Sequence, residues 1–161
     1  SHNMAGWRIG WLAGAAPYLD TVLRVKSNQD SGMFLGLQHA AVAALACREE
    51  WFRDLNAVYA RRKLFGLELM ALLGCQPAPE QAGLFIWARV PDSIAQVEHW
   101  VDELLYATHV FLTPGFIFGS RGERYLRLSL CTPEPKLEEA LQRLRTYLVT
   151  SVASPLSTAA L

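Results

Sequence analysis

The sequence predicts an α+β protein of the wider α/β family that ends in a small domain with helices packed on a small sheet. Apolar residues recur at helical spacing over residues 47–74, which predicts one long amphipathic helix leading into that domain. Beyond residue 83, short apolar runs and helical patterns follow in the order strand, helix, strand, strand, helix. With 52% hydrophobic and 19% charged residues, the chain is expected to bury a packed core.

Three further elements are predicted before the long helix. Residues 7–13 (W-R-I-G-W-L-A) are rich in aromatic and branched side chains between glycines, which indicates a strand. Pro17 is typical of a first helical residue, and a short helix is expected to run to about Lys26. Residues 30–32 (D-S-G) predict the cap of an alanine- and leucine-rich helix through Ala46.

The second half of the chain contains the predicted α+β layer. We expect Asp92 and Ser93 to cap its first helix and Pro114-Gly115 to form a turn. The domain boundary is placed within the long helix, which gives domains of residues 1–58 and 59–161. The predicted strands are residues 83–90, 110–113 and 124–130, and the predicted helices are residues 94–105 and 137–148.

Composition excludes several classes of partner and site. Fifteen basic residues balance fifteen acidic ones, so nothing in the charge favours nucleic acid or an anionic membrane. The longest apolar runs are well short of the roughly 20 residues of a membrane span. Cys47, Cys75 and Cys131 are far apart and show no metal-binding spacing, so we expect no metal and no disulfide framework. Reduced thiols indicate a cytoplasmic protein.

Two arginines are the candidate binding residues. Arg8 lies among apolar residues and glycines in the first predicted strand, where a charge needs a partner. Arg127 lies in residues 125–130 (Y-L-R-L-S-L), where alternation places the leucines on one face and Arg127 on the other. A guanidinium on a rigid strand suits bidentate binding of a carboxylate or a phosphate. An internal salt bridge to Asp or Glu is the alternative for each arginine.

The beginning of the chain resembles a known family. Residues 1–10, S-H-N-M-A-G-W-R-I-G, are similar to the segment after the Schiff-base lysine in class I/II aminotransferases of fold type I, which depend on pyridoxal 5′-phosphate (PLP). The usual form there is S-K-(S/T)-x-N-M-A-G-W-R-x-G. The resemblance implies that Arg8 binds the PLP phosphate. It also implies that the lysine comes immediately before Ser1, so no catalytic residue is expected in this chain.

A second block carries the same resemblance. Residues 114–119 (P-G-F-I-F-G) and 122–129 (G-E-R-Y-L-R-L-S) are similar to the family's P-G-x-x-F-G…G-x-x-x-R-L-S block. This implies that Arg127 grips the α-carboxylate of the substrate. Phe118, in the preceding loop, then lines the substrate pocket or packs in the core.

A third segment implies a homodimer. Residues 27–34 (S-N-Q-D-S-G-M-F) resemble the loop that reaches the partner subunit's active site in this family. On that resemblance Arg24 reaches a distal carboxylate of the substrate across the dimer. The alternative for Arg24 is a solvated position near a helix end.

The resemblance also implies an activity. Residues 1–58 would end the large PLP-binding domain and residues 59–161 would form the small C-terminal domain of an enzyme that moves an amino group between an amino acid and a 2-oxo acid. PLP acts as an electron sink in such enzymes, and the protein holds and orients it. Because the lysine would be missing, we expect the 161-residue chain alone to be inactive and free of PLP.

Three alternatives stay open. A PLP-dependent β-lyase of the same fold uses the same two arginines, and a transcription regulator can carry an aminotransferase-like domain. A free-standing small α+β ligand-binding domain is the third, although it gives the first 46 residues no role.

Overall fold

The structure, a computed structural model, describes residues 2–153, with side chains through residue 150. The chain divides into two compact units, Ser1–Leu55 and Asn56–Leu161. Helices combined with a small sheet confirm the α+β class. The assignment of the units to a large and a small domain of a longer protein stays a prediction, and residues 154–161 lie outside the described part.

The first unit is helical. It contains α1 (Ala16–Gln29), α2 (Leu35–Leu45) and the beginning of the long helix α3 (Glu49–Leu72). Pro17 lies in the first turn of α1, where its missing N–H costs no hydrogen bond. All three predicted helices are therefore confirmed, α3 with nearly the predicted length.

The strand predicted for residues 7–13 is wrong. Ala5–Trp7 forms a short 3₁₀ turn, Arg8 follows with a φ of 52°, and residues 9–13 have no regular structure. A strand needs a neighbour to satisfy its backbone N–H and C=O groups. Residues 2–55 contain no strand that could pair with it.

The second unit contains a four-stranded antiparallel sheet of β1 (Gln76–Pro77), β2 (Phe85–Arg89), β3 (Thr113–Pro114) and β4 (Tyr125–Ser129), in the order β1-β2-β4-β3. The strands predicted for residues 83–90 and 124–130 are confirmed. The strand predicted for residues 110–113 is mostly wrong, because residues 110–112 have no regular structure and the observed strand is Thr113–Pro114, in which Pro114 pairs with Leu126 instead of turning. The short edge strand β1 was not predicted. The unit also contains the helices α4 (Val97–Thr108) and α5 (Glu134–Ala153).

One face of this sheet forms the core of the second unit. Ile86 and Leu126 are fully buried there, in a cluster that includes side chains of α3, α4 and α5. A Cβ on Gly66 of α3 would lie 2.6 Å from Cδ1 of Ile86, so the backbone of this helix approaches the sheet closely. Three helices, where the sequence predicted two, contribute to this core. The opposite face carries Arg127.

Two predicted helix caps are wrong. Asp30 forms an ion pair with Lys26 of α1, and Phe34 occupies the N-cap position of α2 without a side-chain bond. Asp92 likewise bonds Arg89 at 2.6 Å, and α4 begins only at Val97. A nearby cation competes with a helix N-terminus for a carboxylate, and sequence spacing does not decide that competition.

Candidate functional site

Arg127 occupies the centre of β4. Its direct neighbours are Trp87 on β2 and Thr113 on β3, so a strand lies on each side of it. Leu126 and Leu128, the adjacent residues in the chain, are buried in the core. The alternation predicted for residues 125–130 is therefore confirmed, and the guanidinium projects from the face opposite the core.

The Arg127 guanidinium has no anionic partner within residues 2–150. No hydrogen bond or ion pair joins its side chain to any described residue. Instead, its Cζ lies over the rings of Phe85 and Phe118, at 4.3 Å from each ring centroid. These cation–π contacts leave every N–H of the guanidinium available to an anion.

Arg124, three residues earlier, shows what a structural arginine looks like in the same unit. Its Nη2 donates to the carbonyl oxygen of Pro91 at 2.7 Å, and its Nη1 donates to the carbonyl oxygen of Ile94. It lines a cavity of about 630 Å³ at the start of α4, which Arg127 does not line. Two N–H groups of Arg124 are thus bound to backbone carbonyl oxygens, whereas the Arg127 guanidinium makes no hydrogen bond to a described residue.

The loop that carries Phe118 is fixed against the sheet by two glycines. Gly115–Phe118 and Ser120–Gly122 form consecutive 3₁₀ turns between β3 and β4. A Cβ on Gly122 would lie 2.0 Å from the carbonyl oxygen of Gly115, so the two backbone segments cross with no room for a side chain. Such a contact restricts the path of the loop.

Aromatic packing then places the Phe118 ring. Phe118 contacts Trp87 edge to face, with ring centroids 5.7 Å apart, and Trp87 stacks on Tyr125 at 5.3 Å. The side chain of Gln81 fixes Trp87 further, since it exchanges two hydrogen bonds with the backbone of Trp87. These rings form a connected aromatic group around the arginine.

Arg8 lies in the first unit as an exposed residue. It follows the 3₁₀ turn Ala5–Trp7 in a left-handed conformation, and its Nη1 donates to the carbonyl oxygen of Ala5 at 3.3 Å. No acidic side chain pairs with it in the described part of the chain. Donors of its guanidinium are therefore free for an anion such as a phosphate.

Arg24 is also exposed, on α1. Besides the regular backbone bonds of the helix, its carbonyl oxygen accepts hydrogen bonds from Ser27 Oγ and Asn28 Nδ2. Its side chain makes no hydrogen bond to a described residue. The adjacent Lys26 pairs with Asp30. The geometry leaves the Arg24 guanidinium open to solvent, as both interpretations of its role require.

The described residues contain no cluster of acidic, histidine or cysteine side chains that could hold a metal. None of their helices is both long and apolar enough to cross a bilayer. Within the second unit, the candidate site is built from the Arg127 guanidinium and the aromatic rings beside it. Phe85 and Trp87 belong to it but were not predicted, because alternation gives the face of a strand and not its register with a neighbour.

Comparison with known families places the chain in one of them. The model of the family "Aminotransferase class I and II" matches residues 1–144. The chain belongs to this family.

The chain is similar to curated LL-diaminopimelate aminotransferases. It is 40% identical over 147 residues to that of Dehalococcoides mccartyi, covering 91% of this chain and 38% of the relative. It is 34% identical over 143 residues to that of Halothermothrix orenii, covering 89% and 36%. The chain therefore spans less than two fifths of these relatives. These names do not favour a β-lyase or a transcription regulator.

Solved structures share the fold. BacF from Bacillus subtilis matches with a TM-score of 0.79 and 33% identity, over 90% of this chain and 37% of that protein. The aromatic aminotransferase from Pyrococcus horikoshii matches with a TM-score of 0.81 and 25% identity, over 94% and 41%.

Proposed function

We propose that the chain is the C-terminal part of a PLP-dependent aminotransferase and that Arg127 binds the α-carboxylate of the amino acid and of the 2-oxo acid. The observation that carries this proposal is the Arg127 guanidinium, fixed on a central strand without any acidic partner among the described side chains. Because a guanidinium offers two parallel N–H groups to a carboxylate, such a contact orients the substrate before reaction.

Arg8 is the residue proposed to bind the cofactor. Its exposed guanidinium fits the phosphate of PLP, which needs fixed cationic donors. When bound, PLP supplies the electron sink that amino transfer requires. The chain's own residues bind and orient: Arg8 the phosphate and Arg127 the carboxylate. On the family resemblance the cofactor-binding lysine would lie outside these 161 residues, so we expect the chain alone to be inactive.

Three further assignments belong to the same proposal. Phe118 lines the substrate side of the Arg127 site, and Arg24 reaches a distal carboxylate across a homodimer. Residues 27–34 would form the dimer loop, and Met33 and Phe34 in it are exposed, as a partner contact requires. Size-exclusion chromatography with light scattering on the longer protein tests the homodimer. A cytoplasmic location agrees with the three free cysteines.

The substrate arginine is tested in the longer, PLP-loaded enzyme. Amino transfer is measured with a panel of amino acids, including the LL-diaminopimelate named for the relatives, and a panel of 2-oxo acids. We expect Arg127→Leu to raise KM roughly 10- to 100-fold, because a charge-assisted bidentate contact is lost. Arg121→Lys, at an exposed arginine of the preceding loop, is the control and should leave KM unchanged.

The cofactor arginine has a separate readout. Arg8→Leu should weaken PLP binding, measured from cofactor absorbance during dialysis, while Arg48→Lys, at an exposed position of the same unit, should not. Wild-type enzyme without amino transfer on any pair of substrates would refute the proposed function. Turnover by the 161-residue chain alone would refute the predicted inactivity.

A further inference from the structure

We propose that Phe85 is a positioning residue for Arg127, whose guanidinium it holds, together with Phe118, in place for the carboxylate. The inference rests on the proposed function, since it concerns the same site. It adds a residue that neither the sequence pattern nor the family motif singles out.

The geometry that carries it is the double aromatic contact. Cζ of Arg127 lies 4.3 Å from the ring centroid of Phe85 and 4.3 Å from that of Phe118. Phe85 is anchored on a strand and Phe118 on a loop, so two separate parts of the fold converge on one guanidinium. Two such contacts on one half-buried arginine are uncommon, since energetically significant cation–π contacts occur only about once per 70–80 residues.

Phe85 is itself fixed by the sheet. Its Cα partner on β4 is Ser129, so it lies diagonally across from Arg127, within reach of a long side chain on the same face. The backbone bond from Leu130 N–H to the Leu84 carbonyl oxygen, at 2.8 Å, extends the pairing of β2 and β4 past this point. The Phe85 ring is therefore placed by backbone pairing, while remaining 42% exposed.

An aromatic partner suits this task better than an acidic one. A carboxylate beside Arg127 would orient the guanidinium but would also occupy the N–H donors and neutralise the charge that the substrate needs. Ring faces attract the cation and use none of its donors. Because a free arginine side chain loses rotamer freedom when it binds a ligand, holding it beforehand lowers the cost of binding.

The test uses Phe85→Leu and Phe85→Tyr in the longer PLP-loaded enzyme. Leucine keeps an apolar side chain but removes the ring, so we expect KM for both the amino acid and the 2-oxo acid to rise about fivefold. The change in kcat should be smaller, because Phe85 acts on the orientation of Arg127. Tyrosine keeps the ring face and should restore KM to within roughly twofold of wild type.

An equilibrium readout separates positioning from a general structural role. Propionate, a simple carboxylate, serves as competitive inhibitor, and its Ki should rise in Phe85→Leu as KM does. Phe111→Leu is the matched control, since Phe111 is exposed in the same unit and makes no cation–π contact with Arg127. Its KM and Ki should stay at wild-type values. If Phe85→Leu fails to fold, Phe118→Leu carries the same expectation.

The outcomes are distinct. Unchanged KM and Ki in Phe85→Leu, beside a large rise in Arg127→Leu, would overturn the inference and leave the proposed function intact. An equal rise of KM in Phe85→Leu and Phe85→Tyr would also overturn it, because the ring face would then not be the cause. Absence of amino transfer in the wild-type enzyme would remove the proposed function, and this inference with it.

Discussion

Two arginines three positions apart illustrate how little a residue type says by itself. Arg124 donates hydrogen bonds to the carbonyl oxygens of Pro91 and Ile94, and so connects the start of β4 to the segment before α4. Arg127 has two rings beneath it and no hydrogen-bonded partner among the described residues. Both are arginines at a strand. Only their neighbours in space distinguish a structural guanidinium from one that is available for binding.

Cys75 shows the same dependence on surroundings. It is 4% exposed, in the turn region that follows α3, and burial raises the pKa of its thiol from 9.0 to about 11. The thiol is therefore protonated in the native state at neutral and mildly alkaline pH. It is therefore a poor nucleophile there, because the thiolate is the reactive form.

The raised pKa of Cys75 predicts a pH-dependent stability. Between about pH 9 and 11 the Cys75 thiol of the unfolded chain loses its proton, while that of the native chain keeps it. The free energy of unfolding therefore falls as pH rises through this window, and the stability contributed by the protonated thiol is fully present below about pH 9. In urea denaturation, the wild-type free energy of unfolding should fall by up to about 3 kcal/mol more across this window than that of Cys75→Ala. Cys47→Ala is the control and should retain the wild-type dependence. An equally steep fall in Cys75→Ala would rule out this thiol as the cause.

The loop between β3 and β4 is the element on which the site depends most. Its two 3₁₀ turns bring the Phe118 ring against the Arg127 guanidinium, and the crossing of Gly115 and Gly122 leaves no space for a Cβ. The neighbours at that crossing are backbone atoms, which cannot rotate away as a side chain can. Glycine at both positions therefore follows from packing.

A Cβ at position 122 should displace this loop. Gly122→Ala would place a methyl group 2.0 Å from the carbonyl oxygen of Gly115, so we expect a loss of about 2–4 kcal/mol in the free energy of unfolding. KM should also rise in the longer enzyme, because Phe118 would leave Arg127. Ser120→Ala, at an exposed position of the same loop, is the control. If Gly122→Ala and Ser120→Ala were equally stable in thermal denaturation, the close approach of the Gly115 and Gly122 backbones would be contradicted.

At the scale of the whole chain, the core belongs to the second unit. Every buried residue in the described part follows Leu55, whereas none of residues 2–55 is buried. Large apolar side chains of the first unit are exposed, among them Trp11, Tyr18 and Leu23. Helices as short as α1 and α2 are only marginally stable in water when they do not pack against other elements.

Hydrogen exchange should therefore separate the units in the 161-residue chain. We expect amides of α1 and α2 to exchange near the unprotected rate, and amides of α4 to exchange at least roughly 100-fold more slowly. The comparison is matched, because α4 has 12 residues against 14 in α1 but buries Val101 and Leu104. In the longer enzyme α1 and α2 should become protected. Comparable protection of all three helices in the short chain would contradict this division.

Sequence periodicity by itself determined most elements and their faces. The helical spacing over residues 47–74 predicted α3, and the alternation in residues 125–130 placed Arg127 opposite the core, because burial of one face requires that repeat. The family resemblance supplied the chemistry expected of Arg8 and Arg127, which spacing alone left open between a ligand and a salt bridge.

Only the tertiary structure decided which residues from distant parts of the sequence contact one another. The predicted strand at residues 7–13 is absent, because the described residues of its unit offer no partner strand. Helices α2 and α4 start later than predicted, because Asp30 and Asp92 bond nearby cations instead of helix ends. The tertiary structure also brought Phe85 against Arg127, 42 positions later in the chain. Register, ion pairing and the approach of distant segments depend on the packing of the whole unit, and no local pattern in the sequence encodes them.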